Sequence, residues 1–287
     1  MKFQIISEMR AQYPVAKMAE FMKVSVSGFY KWLTVRRTRT SRRETAAKLV
    51  KAVFDEFKGI YGSPRITLEL RARGHNISRR YVELLMRLNG WSAVLKPVFR
   101  VQTTDSDHEL PVAPNLLNQN FTVKEINKIW ASDITYIRVG NSWLYLCVIL
   151  DLANREVVGW KLAKRMDARF VVATLLHAIG KRKPEPGLIF HSDQGSQYAS
   201  HMFRRWLKRF GIVQSMSRRG NCYDNACAES FFHSLKVEEV YRNRYDNEAR
   251  ARARIFNYIE GFYNSVRRHS ALNYESPKGW LKLQQAA

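Results

Sequence analysis

The first hundred residues carry apolar positions at the three- and four-residue spacing of short helices. "VAKMAEFMKV" is followed by a short polar break and "GFYKWL", and Ser27 is expected to cap a helix that opens at Gly28. "SPRITLELRARG" and "SRRYVELLMRLNGW" form a second such pair, separated at Gly74. The pattern predicts helix-turn-helix elements near residues 15–33 and 63–91, although helical hairpins without a DNA role share it.

A break in periodicity separates two regions of the chain. From about Lys96 to Asn127, three prolines alternate with polar clusters, which indicates a linker or an extended crossing segment. We therefore expect a helical region over residues 1–100, a linker over 101–120 and a second domain over 121–287.

The second region alternates strands with helices. "KIWASDITYIRV" and "WLYLCVILDL" are rich in β-branched and aromatic residues and are separated by Gly140-Asn141, a strong hairpin signal. A third strand, "REVVGWKLA", precedes alternating helices and strands that end in the basic helix "NEARARARIFNYIEGFYNSVRRH". This order predicts an α/β fold with a mixed five-stranded sheet, the ribonuclease H-like arrangement.

The charge balance changes the picture from a generic α/β protein to one with a polyanionic partner. The chain has 48 Lys and Arg against 25 Asp and Glu, a net charge of +23. Residues 1–120 contribute +11 and the remainder +12, so both halves can face phosphates. We expect nucleic acid and no membrane, because no apolar stretch reaches the ~18–20 residues of a spanning helix. An odd count of three cysteines fits a reducing cytosol.

Three acidic residues occupy unusual positions, although for Asp193 a turn role is the competing interpretation. Asp133 interrupts the first strand, and Asp193 ends the fourth, where ligands of α/β sheets gather. Glu229 lies in a helix on the same face as Asn225 and Lys236, away from an apolar sector formed by Ala228, Phe231, Phe232 and Leu235. Carboxylates of this kind suit Mg²⁺, and two ions roughly 3.5–4 Å apart serve phosphodiester cleavage and rejoining.

The spacing of these acids resembles a known family. Thirty-five residues separate Asp193 from Glu229, and Lys236 follows seven positions later. Together with "WASDITYI", "HSDQGSQYAS", "SRRGNCYDNACAESFFHSLKVE" and "YNSVRRHSALNYESP", this resembles the DD(35)E signature of bacterial insertion-sequence transposases. The resemblance is to the second-frame (OrfB) product of the insertion sequence 3 family, with a core like that of retroviral integrases, and covers nearly the whole chain.

The resemblance implies a DNA transposase. Asp133, Asp193 and Glu229 would be the catalytic metal ligands for Mg²⁺, with two ions expected and Mn²⁺ as a substitute. A metal-activated water would nick DNA at the element's end, and the freed 3′-hydroxyl would attack another phosphodiester. The partners would be double-stranded DNA, at the terminal inverted repeats and the target, a second copy of the chain, and an upstream-frame (OrfA) product or fusion. Action in the bacterial cytoplasm, at the nucleoid, follows from the same family.

Several basic and polar residues are candidates for DNA contact. Lys236 would hold the terminal DNA, while Asn225, with Gly195, would shape the loops beside the site. Arg79 and Arg80 lie in the first turn of a predicted helix, where the helix dipole disfavours positive charge. Helices that enter a DNA groove commonly tolerate this cost, because their N-terminal residues contact the DNA. The remaining candidates are Arg218, Arg219, Arg267, Arg268 and His269.

Other interpretations of single residues compete with these. Asp151, at the end of "VILD", fits a turn better than a ligand, and Asp224 fits a helix N-cap. His191 is either a group near the scissile phosphate or a packing residue at a strand end. With His201, Cys222 and Cys227 it lacks the ligand spacing of a structural zinc site.

Two other functions remain possible on the residues alone. A helix-turn-helix regulator without catalysis would leave the carboxylate inside the first strand unexplained. A ribonuclease H-type nuclease would use the acids but leave the N-terminal helix pairs idle.

Overall fold

The computed structural model describes residues 1–94, 110–218 and 222–286 of the chain. It divides into two compact units, Met1–Val94 and Leu95–Ala287. In the described part, no helix has both the length and the hydrophobicity needed to cross a bilayer.

The first unit is helical. It contains α1 (Lys2–Met9), α2 (Val15–Phe21), α3 (Val26–Glu56), α4 (Ser63–Ala72) and α5 (Arg79–Leu88). Ile6, Ala19 and Phe29 pack together where α1 and α2 meet the start of α3. The α4–α5 pair agrees with the prediction, and Ser78 caps α5 by accepting a hydrogen bond from the Tyr81 amide at 3.3 Å.

The third helix corrects the predicted start and the predicted break. Ser25, rather than Ser27, is the N-cap, because Ser25 has extended backbone and its Oγ accepts from the Gly28 amide at 3.1 Å. The helix then continues through the basic stretch instead of stopping after "GFYKWL". Threonine hydroxyls donate to carbonyls one turn back, such as Thr38 to Thr34 at 3.0 Å, so these polar side chains are satisfied within the helix.

The second unit is built on a mixed five-stranded sheet of order β3-β2-β1-β4-β5. The strands are β1 (Ile129–Val139), β2 (Ser142–Asp151), β3 (Val157–Ala163), β4 (Ile189–Ser192) and β5 (Val213–Met216). β2 pairs antiparallel with both β1 and β3, whereas β4 pairs parallel with both β1 and β5. This is the predicted ribonuclease H-like arrangement, and the Gly140-Asn141 turn joins β1 to β2 as expected.

Helices cover both faces of this sheet. On one face, α6 (Ala168–Arg182) and α8 (His201–Arg209), with the short α7 (Ser196–Ala199), pack on side chains such as Ile134 and Ile149. On the other, α9 (Ala226–Glu238) and α10 (Glu248–Phe256) pack on side chains such as Ile137 and Val148. The two cores alternate along the strands, as a sheet buried on both faces requires.

Two segments differ from the sequence prediction. The predicted basic helix over 247–269 is α10 only as far as Phe256, and a wider π-helical turn, Asn257–Tyr263, follows. Beyond it, Pro277–Ala286 form α11, a helix that the sequence analysis did not predict. Within the segment predicted as a linker, Leu117 is 5% exposed and packs with Ala131 and Leu152, so residues 110–120 are anchored to this unit's core through Leu117.

Candidate active site

The parallel register of β1 and β4 brings two of the predicted acids to the same level of the sheet. Trp130 pairs with Phe190 and Ala131 with His191, so Asp133 and Asp193 lie two residues further along adjacent strands. β4 ends at Ser192 while β1 continues to Val139, which leaves Asp133 beside the open end of β4. This is the strand-end position at which α/β sheets place their ligands.

Local hydrogen bonds orient both aspartates. The Ile134 amide donates to Asp133 Oδ1 at 2.7 Å, and the Gly195 amide donates to Asp193 Oδ1 at 3.0 Å. A Cβ on Gly195 would lie 3.1 Å from that same Asp193 oxygen, which is tighter than ordinary contact. The absence of a side chain at 195 therefore lets the chain turn closely around the Asp193 carboxylate.

The third acid comes from α9, the helix packed against β1 and β2. Glu229 is exposed in the first turn of α9, while Phe231 and Leu235 of the same helix are buried against the sheet. Asn225, 4% exposed, precedes α9 and donates from Nδ2 to the Ser132 carbonyl at 3.3 Å. The start of the Glu229 helix is therefore tied to the backbone next to Asp133.

The acids of the candidate site act on one another electrostatically, as the Asp133 carboxyl shows. Burial raises the pKa of the Asp133 carboxyl well above its usual range, and the charges of Asp193 and Glu229 raise it further. The Ile134 amide and the Lys236 ammonium oppose this shift. Such a set of oxygen donors fits a hard divalent cation, which would remove the repulsion.

The fit is to a site of one or two carboxylates with water. Among the described residues, no three His, Cys, Asp or Glu side chains are gathered into a ready-made metal cage. Mg²⁺ does not need one, because it usually keeps several waters and binds through one or two carboxylates plus substrate phosphates. Asp133 and Asp193 would supply those carboxylates, with Glu229 at the exposed side.

Lys236 lies between the acids and an aromatic surface. Its Nζ is 4.9 Å from the centre of the Tyr136 ring. Burial lowers the pKa of the Lys236 ammonium, and the Asp133 carboxylate opposes that effect. A half-buried cation at this position can meet a phosphate that approaches the carboxylates.

Asp224 has a role that the sequence analysis missed. Instead of capping α9, its buried carboxylate accepts from Arg218 at 2.9–3.0 Å, from Asn115 at 2.9 Å and from Gln119 at 3.1 Å. Hydrogen bonds from Arg218 are the main reason that the pKa of Asp224 lies far below its usual range. Arg218, a predicted DNA contact, is thus ion-paired with the buried Asp224 while its own side chain is 57% exposed, and Arg219 lies outside the described residues.

The buried histidine of β4 is a packing residue. His191 Nδ1 contacts Ser215 Oγ at 2.9 Å, and Nε2 contacts the Asp224 carbonyl at 2.9 Å. Both ring nitrogens are therefore used inside the protein, which leaves neither for the scissile phosphate. Asp151 likewise forms a turn, accepting from the Asn127 and Ala153 amides at 2.7 and 3.0 Å. Cys227 Sγ contacts Arg155.

Three residues predicted to contact DNA have buried side chains with partners inside the protein, and their contact with DNA stays a prediction. Arg267, 6% exposed, donates to Glu238 at 2.6 and 2.8 Å and to Ser234 at 3.1 Å. His269, 8% exposed, packs edge-on against the Tyr263 ring at 4.7 Å. Asn225 is 4% exposed, and its Nδ2 donates to the Ser132 carbonyl.

The other predicted contacts lie nearer the surface. Arg268 is half-buried and donates to the Tyr274 carbonyl at 3.2 Å. Arg79 and Arg80 are exposed in the first turn of α5, where a DNA phosphate could reach them.

Comparisons with known proteins agree with this architecture. The Integrase core domain family matches residues 124–222, a second Integrase core domain family matches 210–277, and the HTH-like domain family matches 41–97. Transposase InsF for insertion sequence IS3A of Escherichia coli (strain K12) is 41% identical over 282 residues, 97% of each chain. The transposase for insertion sequence element IS904 of Lactococcus lactis subsp. lactis (strain IL1403) is 42% identical over 84% of this chain and 94% of its own.

Among solved structures, the catalytic core domain of BIV integrase covers 56% of this chain and 97% of its own, with 18% identity and a TM-score of 0.42.

Proposed function

The chain belongs to the insertion sequence 3 family of DDE transposases, and we propose that Asp133, Asp193 and Glu229 are the carboxylates with which it cuts and joins DNA. One observation carries the assignment of the first two. The parallel pairing of Trp130 with Phe190 puts both aspartates at the same level, where β4 ends. The charge of Glu229, which acts on the Asp133 carboxyl, supports the third.

The proposed reaction has two phosphoryl transfers. Water first attacks the phosphorus at the element's end, a new P–O bond forms, and the 3′-oxygen leaves as a hydroxyl. That hydroxyl then attacks a second phosphodiester, so one P–O bond forms as another breaks and no nucleotide energy source is consumed. A pair of Mg²⁺ ions, or Mn²⁺ in their place, would supply charge stabilisation at the attacking and leaving oxygens.

The protein's own groups divide the remaining work. The Ile134 and Gly195 amides hold the two aspartates in fixed orientations. Lys236 neutralises a phosphate next to Asp133, and Glu229 completes the site from the exposed turn of α9. Because the groups that hold the acids are backbone amides, the site is organised before DNA arrives.

The partners at the finer level are also proposals. We propose that the helical unit reads the terminal inverted repeats through Arg79 and Arg80, and that the catalytic unit acts on those repeats and on target DNA. Pairing of two ends calls for at least two copies of the chain, and an upstream-frame product or fusion would supply further end recognition. The relatives are transposases of bacteria, so we place this activity on the bacterial chromosome in the cytoplasm.

The test is Mg²⁺-dependent end joining by the full chain, alone and fused to its upstream frame. Glu229→Gln keeps the side chain's size and removes its charge, and we expect joined product to fall by a factor of about 100 or more while DNA binding persists. Glu125→Gln is the matched control, because Glu125 is an exposed glutamate of the same unit whose ion pair is with Lys128, at 3.6 Å. It should join ends at the wild-type rate.

The alternatives give different results. Binding with no cleavage in either format favours a helix-turn-helix regulator. Cleavage confined to the RNA of an RNA–DNA hybrid favours a nuclease. Joining by Glu229→Gln at the wild-type rate contradicts the assignment of Glu229.

A further inference from the structure

A groove of about 1070 Å³ opens beside Asp133 within the second unit. One wall is the tip of the β1–β2 hairpin, with Tyr136, Arg138 and Trp143. The other is the segment after α9, with Tyr241 and Arg244. Lys236 closes the end nearest the carboxylates, where Ile134, the neighbour of Asp133, also lines the groove.

The hairpin wall is an aromatic surface that the fold leaves uncovered. Tyr136 pairs directly across from Tyr145, and Arg138 across from Trp143, so these four side chains share one face of the hairpin. The Tyr136 and Trp143 rings meet edge to face, with centroids 4.9 Å apart and planes at 80°. Trp143 is nevertheless 48% exposed, and Tyr241 on the opposite wall is 52% exposed.

The charges of the groove favour an anion. Lys236, Arg138 and Arg244 line it, and among the described residues one acid, Asp246, lines it with them. That acid is paired with Arg250 at 2.7 Å. Burial, together with the neighbouring Tyr241 phenol, raises the pKa of Tyr136, so this phenol adds no negative charge at neutral pH.

Aromatic rings combined with cations select one form of nucleic acid. Inside a duplex each base face is covered by the next base pair, so an aromatic side chain can stack only on a base that is unpaired or at the very end of the duplex. Cations along the same groove then bind the sugar-phosphate backbone of that strand. A duplex that met only the cations would gain nothing from Trp143 and Tyr241.

We propose that this groove binds unpaired nucleotides of the DNA strand that runs past the scissile phosphate, with bases stacked on Trp143 and Tyr241. The proposal rests on the proposed function, since it places the strand beside Asp133. Lys236 connects the two regions, because it contacts the Tyr136 ring and also acts on the Asp133 carboxyl. The protein would thereby hold the end of its substrate open while the carboxylates act.

The experiment measures DNA binding by the full chain in buffer without divalent ions, so that no cutting occurs. The probes are an element-end duplex that is blunt and the same duplex with a single-stranded tail of about four nucleotides carrying 2-aminopurine. We expect the tailed duplex to bind more tightly and the 2-aminopurine fluorescence to be quenched. Trp143→Leu should weaken tailed binding about 5- to 100-fold and relieve the quenching, leaving blunt binding within about twofold.

Two variants control for packing and for loss of an exposed ring. Trp143→Phe keeps an aromatic face and should retain most of the tail preference. Phe256→Leu removes a 53% exposed ring from α10, outside the groove, and should change neither affinity. Each variant's melting temperature is measured alongside, and the hairpin position of Trp143 predicts little change.

The outcomes separate this proposal from the assigned activity. If Trp143→Leu weakens blunt and tailed binding equally, or the wild type shows no tail preference, the groove proposal is overturned even when end joining is intact. If tail binding depends on Trp143 while the wild type joins no ends, the groove proposal is supported and the proposed function fails.

Discussion

At the scale of single residues, the candidate site works against the stability of the fold. Asp133 occupies a partly buried position in β1, between the buried Ser132 and Ile134, and its carboxylate lies within the influence of two other acids. Burial and like charges both favour the neutral form of such a group, which is why its pKa is raised. At neutral pH, the ionised Asp133 therefore lowers the free energy of unfolding unless a cation is bound.

Replacing Asp133 by asparagine should stabilise the protein in the absence of metal. The amide oxygen of the new side chain can still accept from the Ile134 amide, while the repelled charge is gone. We expect the melting temperature at pH 7.5, without divalent ions, to rise by a few degrees, since 1 kcal/mol corresponds to about 2–4 °C in a unit of this size. Added Mg²⁺ should stabilise the wild type and leave Asp133→Asn unchanged, as followed by thermal unfolding.

Asp151 provides the control, because burial raises the pKa of its carboxyl as well, but hydrogen bonds to both of its oxygens oppose that shift. Its two carboxylate oxygens accept from the Asn127 and Ala153 amides, and an asparagine has only one oxygen to offer. Asp151→Asn should lower the free energy of unfolding by about 1–3 kcal/mol. A similar loss in Asp133→Asn would mean that Asp133 is a structural residue.

The three proposed acids leave signals in the sequence, whereas the partners of their neighbours do not. Asp133 and Asp193 break hydrophobic strands, and Glu229 follows at a fixed spacing, so each leaves a local signal. Arg267 leaves none, because a basic run looks the same whether it faces DNA or pairs with Glu238, which lies 29 positions away. Long-range partners of this kind are fixed only when the helices pack.

At the scale of elements, Asp224 holds together segments that are distant in sequence. Its carboxylate joins the 110–120 segment, through Asn115 and Gln119, to Arg218 beyond β5. Asp224 itself lies in the 3₁₀ turn Cys222–Asn225, immediately before the helix that carries Glu229. The position of α9 on the sheet therefore depends in part on one buried carboxylate.

Asp224→Asn should destabilise the protein in a manner that depends on pH. The pKa of Asp224 is lower in the folded protein than in the unfolded chain, where it is about 4. The Asp224 charge therefore stabilises the fold at pH values above about 4, and this stabilisation is lost as the pH falls further. In urea unfolding, we expect the variant's free energy of unfolding to be about 1–3 kcal/mol below that of the wild type. The difference should be constant from pH 8 to 5 and should shrink below about pH 4.

The matched control is an exposed ion pair. Asp246 contacts Arg250 at 2.7 Å with both side chains more than half exposed, so Asp246→Asn should cost under about 1 kcal/mol. If Asp224→Asn lowers the free energy of unfolding no more than Asp246→Asn does, or lowers it equally at every pH, the role given to Asp224 is contradicted.

The bounds of the helices were harder to predict from sequence than the strands. The five strands and their order along the chain could be predicted, because alternation and turn residues are local signals. The hydrophobic pattern divides the long α3 in two because its middle is basic and rich in threonine, and the i to i−4 hydroxyl bonds that satisfy this stretch are not visible in such a pattern. The α11 helix was missed because its buried contact, Pro277, is tertiary.

At the scale of the whole molecule, the charge is concentrated in the smaller unit. Residues 1–94 carry 19 Lys and Arg against 7 Asp and Glu, a net of +12 in a third of the chain. DNA binding that neutralises phosphates releases counterions, so the logarithm of the binding constant falls linearly with the logarithm of salt concentration. The slope of that line is proportional to the number of phosphates that the protein neutralises. Variants of one unit in the full chain therefore show how many phosphate contacts that unit makes.

Arg79 and Arg80 together should account for about two of those contacts. The double variant Arg79→Ala, Arg80→Ala should reduce the salt slope for element-end duplex by about two and weaken binding at every salt concentration, measured by fluorescence anisotropy. Arg204→Ala with Arg205→Ala removes the same charge from exposed positions on α8, and there the slope should be nearly unchanged. Equal losses in both double variants would show that DNA senses only the total charge of +23, and α5 would then lose its assignment as the helix that meets the duplex.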